Sequence, residues 1–342
     1  MGEVAYRFLQ GSLETTKGSN NAATRLLLAR VTSTSPTAPK EWIEEDRGTL
    51  VAANRFVGGV KDYALTVEAP ANFEQLGWFL QTAAKGSVAG STVGTTGVRY
   101  IFSPNTTTTG DDLQAASFEL GDDTQSFLVR YAEAESWTLA FDALAVGQAA
   151  PLNLTVNYVA QSFGSNTKTA GLSSPTVRSI LATGARFYLG ATTVGFGSLA
   201  QLTGSLRSFS MTSTNGLGRK VFVGDGKTFS NIGRGRRVTT WEAVIEGNAD
   251  GVTRFVEWDT EAAQKRMRLQ FFGDTISGSS PATAYQLWVD GRIDIETFDP
   301  IGEVDTNTVF RLSGRFIEDA ANATTNSDYT ITLTNDQATP YT

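Results

Sequence analysis

The side chains of this protein best equipped for chemistry are its carboxylates, because it contains no histidine and no cysteine. Two groups stand close along the chain: Glu133 with Glu135, and Asp290 with Asp294 and Glu296. Paired acids of this kind can flank a scissile glycosidic bond, one protonating the leaving group while the other attacks or activates water. Here Ala134 separates the first pair, and Ile293 and Ile295 alternate with the second set. That period of two places the acids on one solvated sheet face. Without histidine the usual general base near neutral pH is gone, and without cysteine so are thiolate nucleophiles and thiolate-bound metal. No catalytic, cofactor-binding or metal-ligating set is expected, and a hydrolase would have to work with carboxylates alone.

Two other motifs have structural readings. Gly224-Asp225-Gly226-Lys227-Thr228 ends like a phosphate-binding loop, but Val221 stands where that motif needs glycine and residues 229–235 do not open a helix. A glycine-rich hairpin turn is expected instead. Arg234-Gly235-Arg236-Arg237, with Arg219 and Lys220, could contact nucleic acid or line a loop at a subunit contact. A net charge of −7 opposes tight wrapping of nucleic acid, which rests on neutralising phosphates. The Asn-x-Ser/Thr matches at Asn105, Asn153 and Asn322 carry no weight in a threonine-rich chain. With 40% hydrophobic and 18% charged residues the chain can bury a substantial core. The longest apolar run, Leu26-Leu27-Leu28-Ala29, is far too short to span a bilayer, and neither a signal peptide nor a membrane segment is expected.

The elements that must position these residues recur. Tyr63-Ala64-Leu65-Thr66-Val67-Glu68-Ala69 stands 178 residues before Trp241-Glu242-Ala243-Val244-Ile245-Glu246-Gly247, a strand pattern in both places. Each strand enters a helix. One follows Asn72, with Phe73, Leu76, Phe79 and Leu80 at helical spacing; the other follows Asp250, with Val252, Phe255, Val256, Ala262 and Ala263. Both stripes are expected to pack on their own sheets. The first copy then carries about twenty extra residues in a Gly/Thr/Ser-rich stretch, 86–112, read as a long exposed loop. Beyond it Phe141-Asp142-Ala143 matches Phe298-Asp299-Pro300, and Leu152, Leu154, Val156 and Tyr158 match Phe310, Leu312, Gly314 and Phe316. The expected fold is mainly β: two tandem homologous β-sandwich or part-barrel domains with one α-helix each, at 1–165 and 181–342, joined by a linker at 166–180.

The order of these elements resembles siphophage major tail proteins: an aromatic start running into ETTKGSNNAATRLL, a strand feeding Ala69-Pro70-Ala71-Asn72-Phe73-Glu74-Gln75-Leu76, then Tyr100-Ile101-Phe102-Ser103-Pro104 and SFELGDDTQSFLVRYAEAESWTLAFDA. The resemblance implies a structural subunit of a non-contractile tail tube, built in the host cytoplasm and residing in the virion. Its strands would join those of neighbours in a barrel around a lumen that conducts DNA without binding it. Members similar in carrying two tandem domains complete a pseudo-hexameric ring from three chains. The implied partners are further copies, tail terminator and tail tip proteins and, during assembly, the tape measure protein. Repulsion of phosphates by carboxylates makes Glu133, Glu135, Asp294 and Glu296 the expected lumen-facing residues. The alternative is a β-sandwich binding module or capsid decoration protein.

Overall fold

The computed structural model describes residues 7–337 and Tyr341, apart from 20, 46, 49–50, 52, 105–112, 123, 143–149, 204–205, 225, 261–263, 305–306 and 320–326. Asn105, Asp112, Ala143, Asp225, Ala262, Ala263 and Asn322 therefore lie outside the described residues.

Alternation of apolar and polar side chains writes most of the strands. In the first half these are β1 (Phe8–Leu13), β2 (Arg25–Leu26), β3 (Arg30–Thr37), β4 (Lys40–Glu44), β5 (Ala53–Gly58) and β6 (Asp62–Pro70), then helix α1 (Leu76–Ala83), then β7 (Ser91–Val93), β8 (Gly97–Phe102), β9 (Ala116–Gly121), β10 (Ser126–Phe141), β11 (Asn153–Ala160) and β12 (Ser162–Asn166). In the second half they are β13 (Ala185–Ala191), β14 (Ala200–Gln201), β15 (Leu206–Thr214), β16 (Leu217–Lys220), β17 (Asn231–Arg234) and β18 (Val238–Glu246), then α2 (Ala249–Asp259), then β19 (Lys265–Thr275), β20 (Ala284–Val304), β21 (Asn307–Ile317) and β22 (Tyr329–Asn335). In β6, Leu65, Val67 and Ala69 are buried between outward Ala64, Thr66 and Glu68; in β18, Trp241, Ala243 and Ile245 are buried between outward Thr240, Glu242 and Val244.

The antiparallel pairings run β2–β1–β9–β10–β11–β6–β3 in the first half. In the second they run β14–β13–β19–β20–β21–β18–β15, the same order element for element. Even an irregularity recurs: the register shifts between Val31 and Ser33 in β3 and between Leu206 and Ser208 in β15. The hairpins β4–β5 and β16–β17 fill the same place in each half. The strands β10 and β20 are long because each leaves one set of partners for another: β10 pairs with β9 and β12 before its middle and with β11 after it. The halves share one apolar core, in which Phe118 of β9 meets Tyr158 of β11 at 4.9 Å between ring centroids and Phe141 meets Phe271 at 5.8 Å.

Four expectations are corrected. The stretch 86–112 is not simply an exposed loop: its β8 pairs with β22, and Tyr100 and Phe102 are fully buried, because Val98, Tyr100 and Phe102 alternate as a strand requires. The second helix begins at Ala249, capped by Asn248, whose Oδ1 accepts from the N–H groups of Asp250 and Gly251. Its stripe is only partly covered: Val252 and Val256 face solvent, while α2 meets its sheet through Gly251, Trp258 and one side of Phe255, over Phe298 and Phe310. α1, by contrast, is buried along its whole length. Finally, the offsets of 178 at Leu65 and 158 at Tyr158 do not hold together, since Leu65 pairs with Tyr158 but Ala243 with Leu312. The bulges at Ala134/Ser136 and Ile295/Thr297 and the caps Asn72 and Asn248 align the halves instead at 176 in β6 and β18, so the counterpart of Phe298 is Trp137 rather than Phe141.

Candidate functional site: a joint and two open edges

The two halves are joined strand to strand. Residues 136–141 of β10 pair with 209–214 of β15, giving one antiparallel sheet in the order β3–β6–β11–β10–β15–β18–β21–β20. One face of this sheet packs on the core. The other carries Ser, Thr and Asn, and across it runs a ladder of side-chain hydrogen bonds: Thr66 to Asn157 at 2.9 Å, Asn157 to Ser136 at 2.9 Å, and Thr138 to Thr212 at 2.9 Å. The last of these spans the joint itself. Just past β15, buried Asn215 donates from Nδ2 to the carbonyls of Ala83 and Ala134, each at 2.8 Å, and fixes the joint to α1.

The sheet ends in two edges. Among the described residues β3 has a single partner, β6, and residues 294–304 of β20 have a single partner, β21. Pro36, which has no N–H to donate, suits a strand that lies at an edge of the chain. Register relates these edges to the internal joint. The helix-capping residues Asn72 and Asn248 stand 176 apart, and at that spacing Leu65 and Trp241 pair with Thr34 and Met211, so Thr37 occupies the place of Thr214. The bulges between Ala134 and Ser136 and between Ile295 and Thr297 lie opposite Tyr158 and Gly314, the partners of Leu65 and Trp241, so Thr297 occupies the place of Ser136. Ser136 and Thr214, which stand opposite each other across the joint, are thus represented by threonine at both open edges.

The four acids expected together are placed apart. Glu133 is buried and held by Lys17 at 2.7 Å, so it presents no carboxylate to an open face. This corrects its expected position, and the cause is the irregular register between Ala134 and Ser136, which breaks the alternation through Glu133 and Glu135. Glu135 is exposed, Asp294 is half-buried, and Glu296 is exposed with Arg315 at 2.9 Å. Asp290 is gripped by Arg268 at 2.6 and 2.7 Å; burial pushes its carboxyl above the usual range, and Arg268 opposes that shift. Glu133, Asp290 and Glu296 each have their own cation.

The basic cluster is likewise divided, with Arg219 on Asp62 at 2.8 Å and Arg237 on Asp328 at 2.7 Å. Gly224 and Gly226 have φ of +101° and +77°, the left-handed backbone of a turn. That turn ends the β16–β17 hairpin, whose tip exposes Val221, Phe222 and Val223, while β4–β5 exposes Trp42, Phe56 and Val57. The hairpins lie side by side, Lys61 N–H donating to the Lys227 carbonyl at 2.7 Å. Sequence reasoning missed the hydroxyl ladder, because isolated Ser and Thr carry no periodic signal until register is known. No known family model matches the chain, and no curated protein sequence is similar to it.

Proposed function

We propose that this chain is a structural subunit of a phage-type tail tube, in which two tandem copies of one domain supply two adjacent segments of a ring. The observation that carries the reading is the β10·β15 joint with its two unfilled counterparts: an edge like β15 at one end of the sheet and an edge like β10 at the other. A heterologous contact that repeats head to tail closes into a ring when its rotation allows. Pairing β20 of one copy with β3 of the next repeats the internal joint, removes both open edges and brings Thr297 against Thr37. Three chains then give six domains. The exposed aromatic hairpins at one end of the sheet suit contact with the next ring, and further copies, a terminator, a tip and a tape measure protein are the partners of such a tube.

In this reading the hydroxyl-rich face lines the lumen. Its exposed cations, Arg30, Arg311 and Arg315, stand opposite Glu68, opposite Asp299 and against Glu296, which leaves little net positive charge to release counterions from a duplex, so DNA slides rather than sticks. Its exposed acids include Glu68 and Glu242, and buried Glu133 is not among them. Glu68→Lys with Glu242→Lys should leave folding within about 1 kcal/mol of the parent, about 0.5 kcal/mol apiece, both positions being exposed. It should also make assembled tubes retain duplex DNA at low salt and release it at high salt. Tubes that ignore DNA at every salt concentration would remove this face from the lumen.

Electron microscopy of the purified protein tests the whole reading. Rings or filaments with threefold symmetry and a pseudo-sixfold outline are expected. Six chains per ring would refute the tandem arrangement, and particles that remain single chains would favour a β-sandwich binding module.

A further inference from the structure

A short piece of extended chain closes a corner of the first half. Beyond β6 the chain turns into α1, and the place it vacates beside β11 is taken by residues 178–182, which lead into β13. Leu152 N–H donates to the Ile180 carbonyl at 2.8 Å, Ile180 N–H to the Ala71 carbonyl at 2.9 Å, and Phe73 N–H to the Arg178 carbonyl at 3.0 Å. Ile180 is buried there, and so are Ala71, Phe73 and Leu152.

The same corner stands in the second half. Ala71 N–H donates to the Leu152 carbonyl at 2.7 Å, and Gly247 N–H donates to the Thr308 carbonyl at 2.8 Å. Gly247 lies 176 residues beyond Ala71, the spacing of the caps Asn72 and Asn248; Thr308 lies 156 beyond Leu152, the spacing of Tyr158 and Gly314 at the two bulges. Ala71, Phe73 and Leu152 therefore correspond to Gly247, Ala249 and Thr308. These last three are exposed, and among the described residues no segment lies where 178–182 lies in the first half.

The second corner thus presents the Gly247 carbonyl, the Ala249 N–H and the Thr308 N–H, to which an extended segment can add by main-chain bonds. Within the chain, the segment that fills the corner is the one that enters the half joined across β10 and β15. Across a β20–β3 pairing, the half so joined is the first half of the next copy, and residues 1–6 enter it. Closing that seam buries the corner, and buried N–H and C=O groups must find partners. Glu3-Val4-Ala5-Tyr6 holds a β-branched and an aromatic residue and no proline, a composition suited to an extended strand.

We infer that residues 1–6 of one copy fill the corner at Gly247, Ala249 and Thr308 of its neighbour, so that each β20–β3 seam is held by an exchanged segment of backbone. The inference rests on the ring reading above and adds the segment that locks it.

Amide hydrogen exchange of the full-length chain, dilute and assembled, tests it. Residues 247–249 and 307–309 should exchange at least roughly tenfold more slowly in assembled parent than in single chains. A chain lacking residues 2–5 should melt with the parent, because β1 begins beyond them at Phe8. It should need at least roughly tenfold more protein to assemble, about 1.4 kcal/mol in association, and its rings should leave the same amides fast. Equal exchange in parent rings and single chains would mean an unfilled corner, overturning the inference and leaving the ring reading standing. Rings of the shortened chain that protect these amides as the parent does would give the corner to another segment and overturn it equally. A parent that never assembles overturns both readings. Should the deletion lower the melting temperature, a synthetic peptide of residues 1–8, in large excess over dilute parent, is required to slow the same amides.

Discussion

Chains carrying Thr37→Cys and Thr297→Cys together should cross-link under mild oxidation into a ladder of one, two and three chains that goes no further. The parent has no cysteine, so every disulfide formed reports the engineered pair. Side chains directly opposite on antiparallel strands have Cβ atoms about 4.5–5.5 Å apart, within a small adjustment of the roughly 3.5–4.5 Å that a disulfide needs. The internal joint supplies the control: Thr138 and Thr212 already hydrogen bond at 2.9 Å across it, so Thr138→Cys/Thr212→Cys should close within one chain at any dilution. Either single variant at the open edges should give no ladder, since its only partner would be a distant copy of itself. Non-reducing electrophoresis reads the result. If the internal control oxidises while the open-edge pair does not, β20 and β3 do not meet, and the ring loses its seam.

Replacing Glu14 with alanine should cost roughly 4 kcal/mol of folding stability in urea denaturation, a large loss for one side chain. Glu14 is buried, and its carboxylate accepts from Gly18 N–H at 2.6 Å, Ser117 Oγ at 2.6 Å and Tyr131 N–H at 2.7 Å. Each hydrogen bond to a charged acceptor is worth about 1.5–3 kcal/mol, and removing the acceptor leaves three donors unsatisfied, with losses that overlap rather than sum. One of those donors belongs to Tyr131, whose φ of +51° is costly for a residue with a side chain and persists only where its surroundings enforce it. Tyr131 in turn packs on Phe229 at 5.5 Å between ring centroids and donates to Asn231 at 3.2 Å. Faster amide exchange at residues 229–234 should therefore accompany the loss. Glu14→Gln, which keeps one acceptor oxygen, should lose about half as much; a loss below about 1 kcal/mol for alanine would show that the bulge at Tyr131 holds itself.

The sequence makes the strands of each half legible because a sheet with one buried face must alternate. Alternation repeats every second residue, however, and so leaves the match between the halves free to slip by two: the caps Asn72 and Asn248 are 176 apart rather than 178. It is least legible where the chain departs from period two. The register shift beside Glu135 sends Glu133 into the interior, and nothing in Glu-Ala-Glu distinguishes that outcome from a solvated face. The extra stretch 86–112 reads as a loop from its Gly, Thr and Ser content, yet Val98, Tyr100 and Phe102 hide a strand there, visible only as three alternate residues. The α2 stripe has the helical spacing of a buried face. Spacing shows that a face is apolar and is silent on which molecule covers it. The open edges could not be read at all, since an edge is defined by the absence of a partner strand.

That one joint is made inside the chain changes how a closed assembly forms and fails. Strands tethered on one chain meet at an effective concentration in the millimolar range, independent of how dilute the protein is. Of six seams in a ring of three chains, alternate ones would then be permanent, and only the β20–β3 seams would answer to dilution or to force. Closure becomes a three-body rather than a six-body problem. Every fragment of a broken ring would carry the same two ends, ready to rejoin. Selection could weaken or strengthen the reversible seam through Thr37 and Thr297 without touching the permanent one.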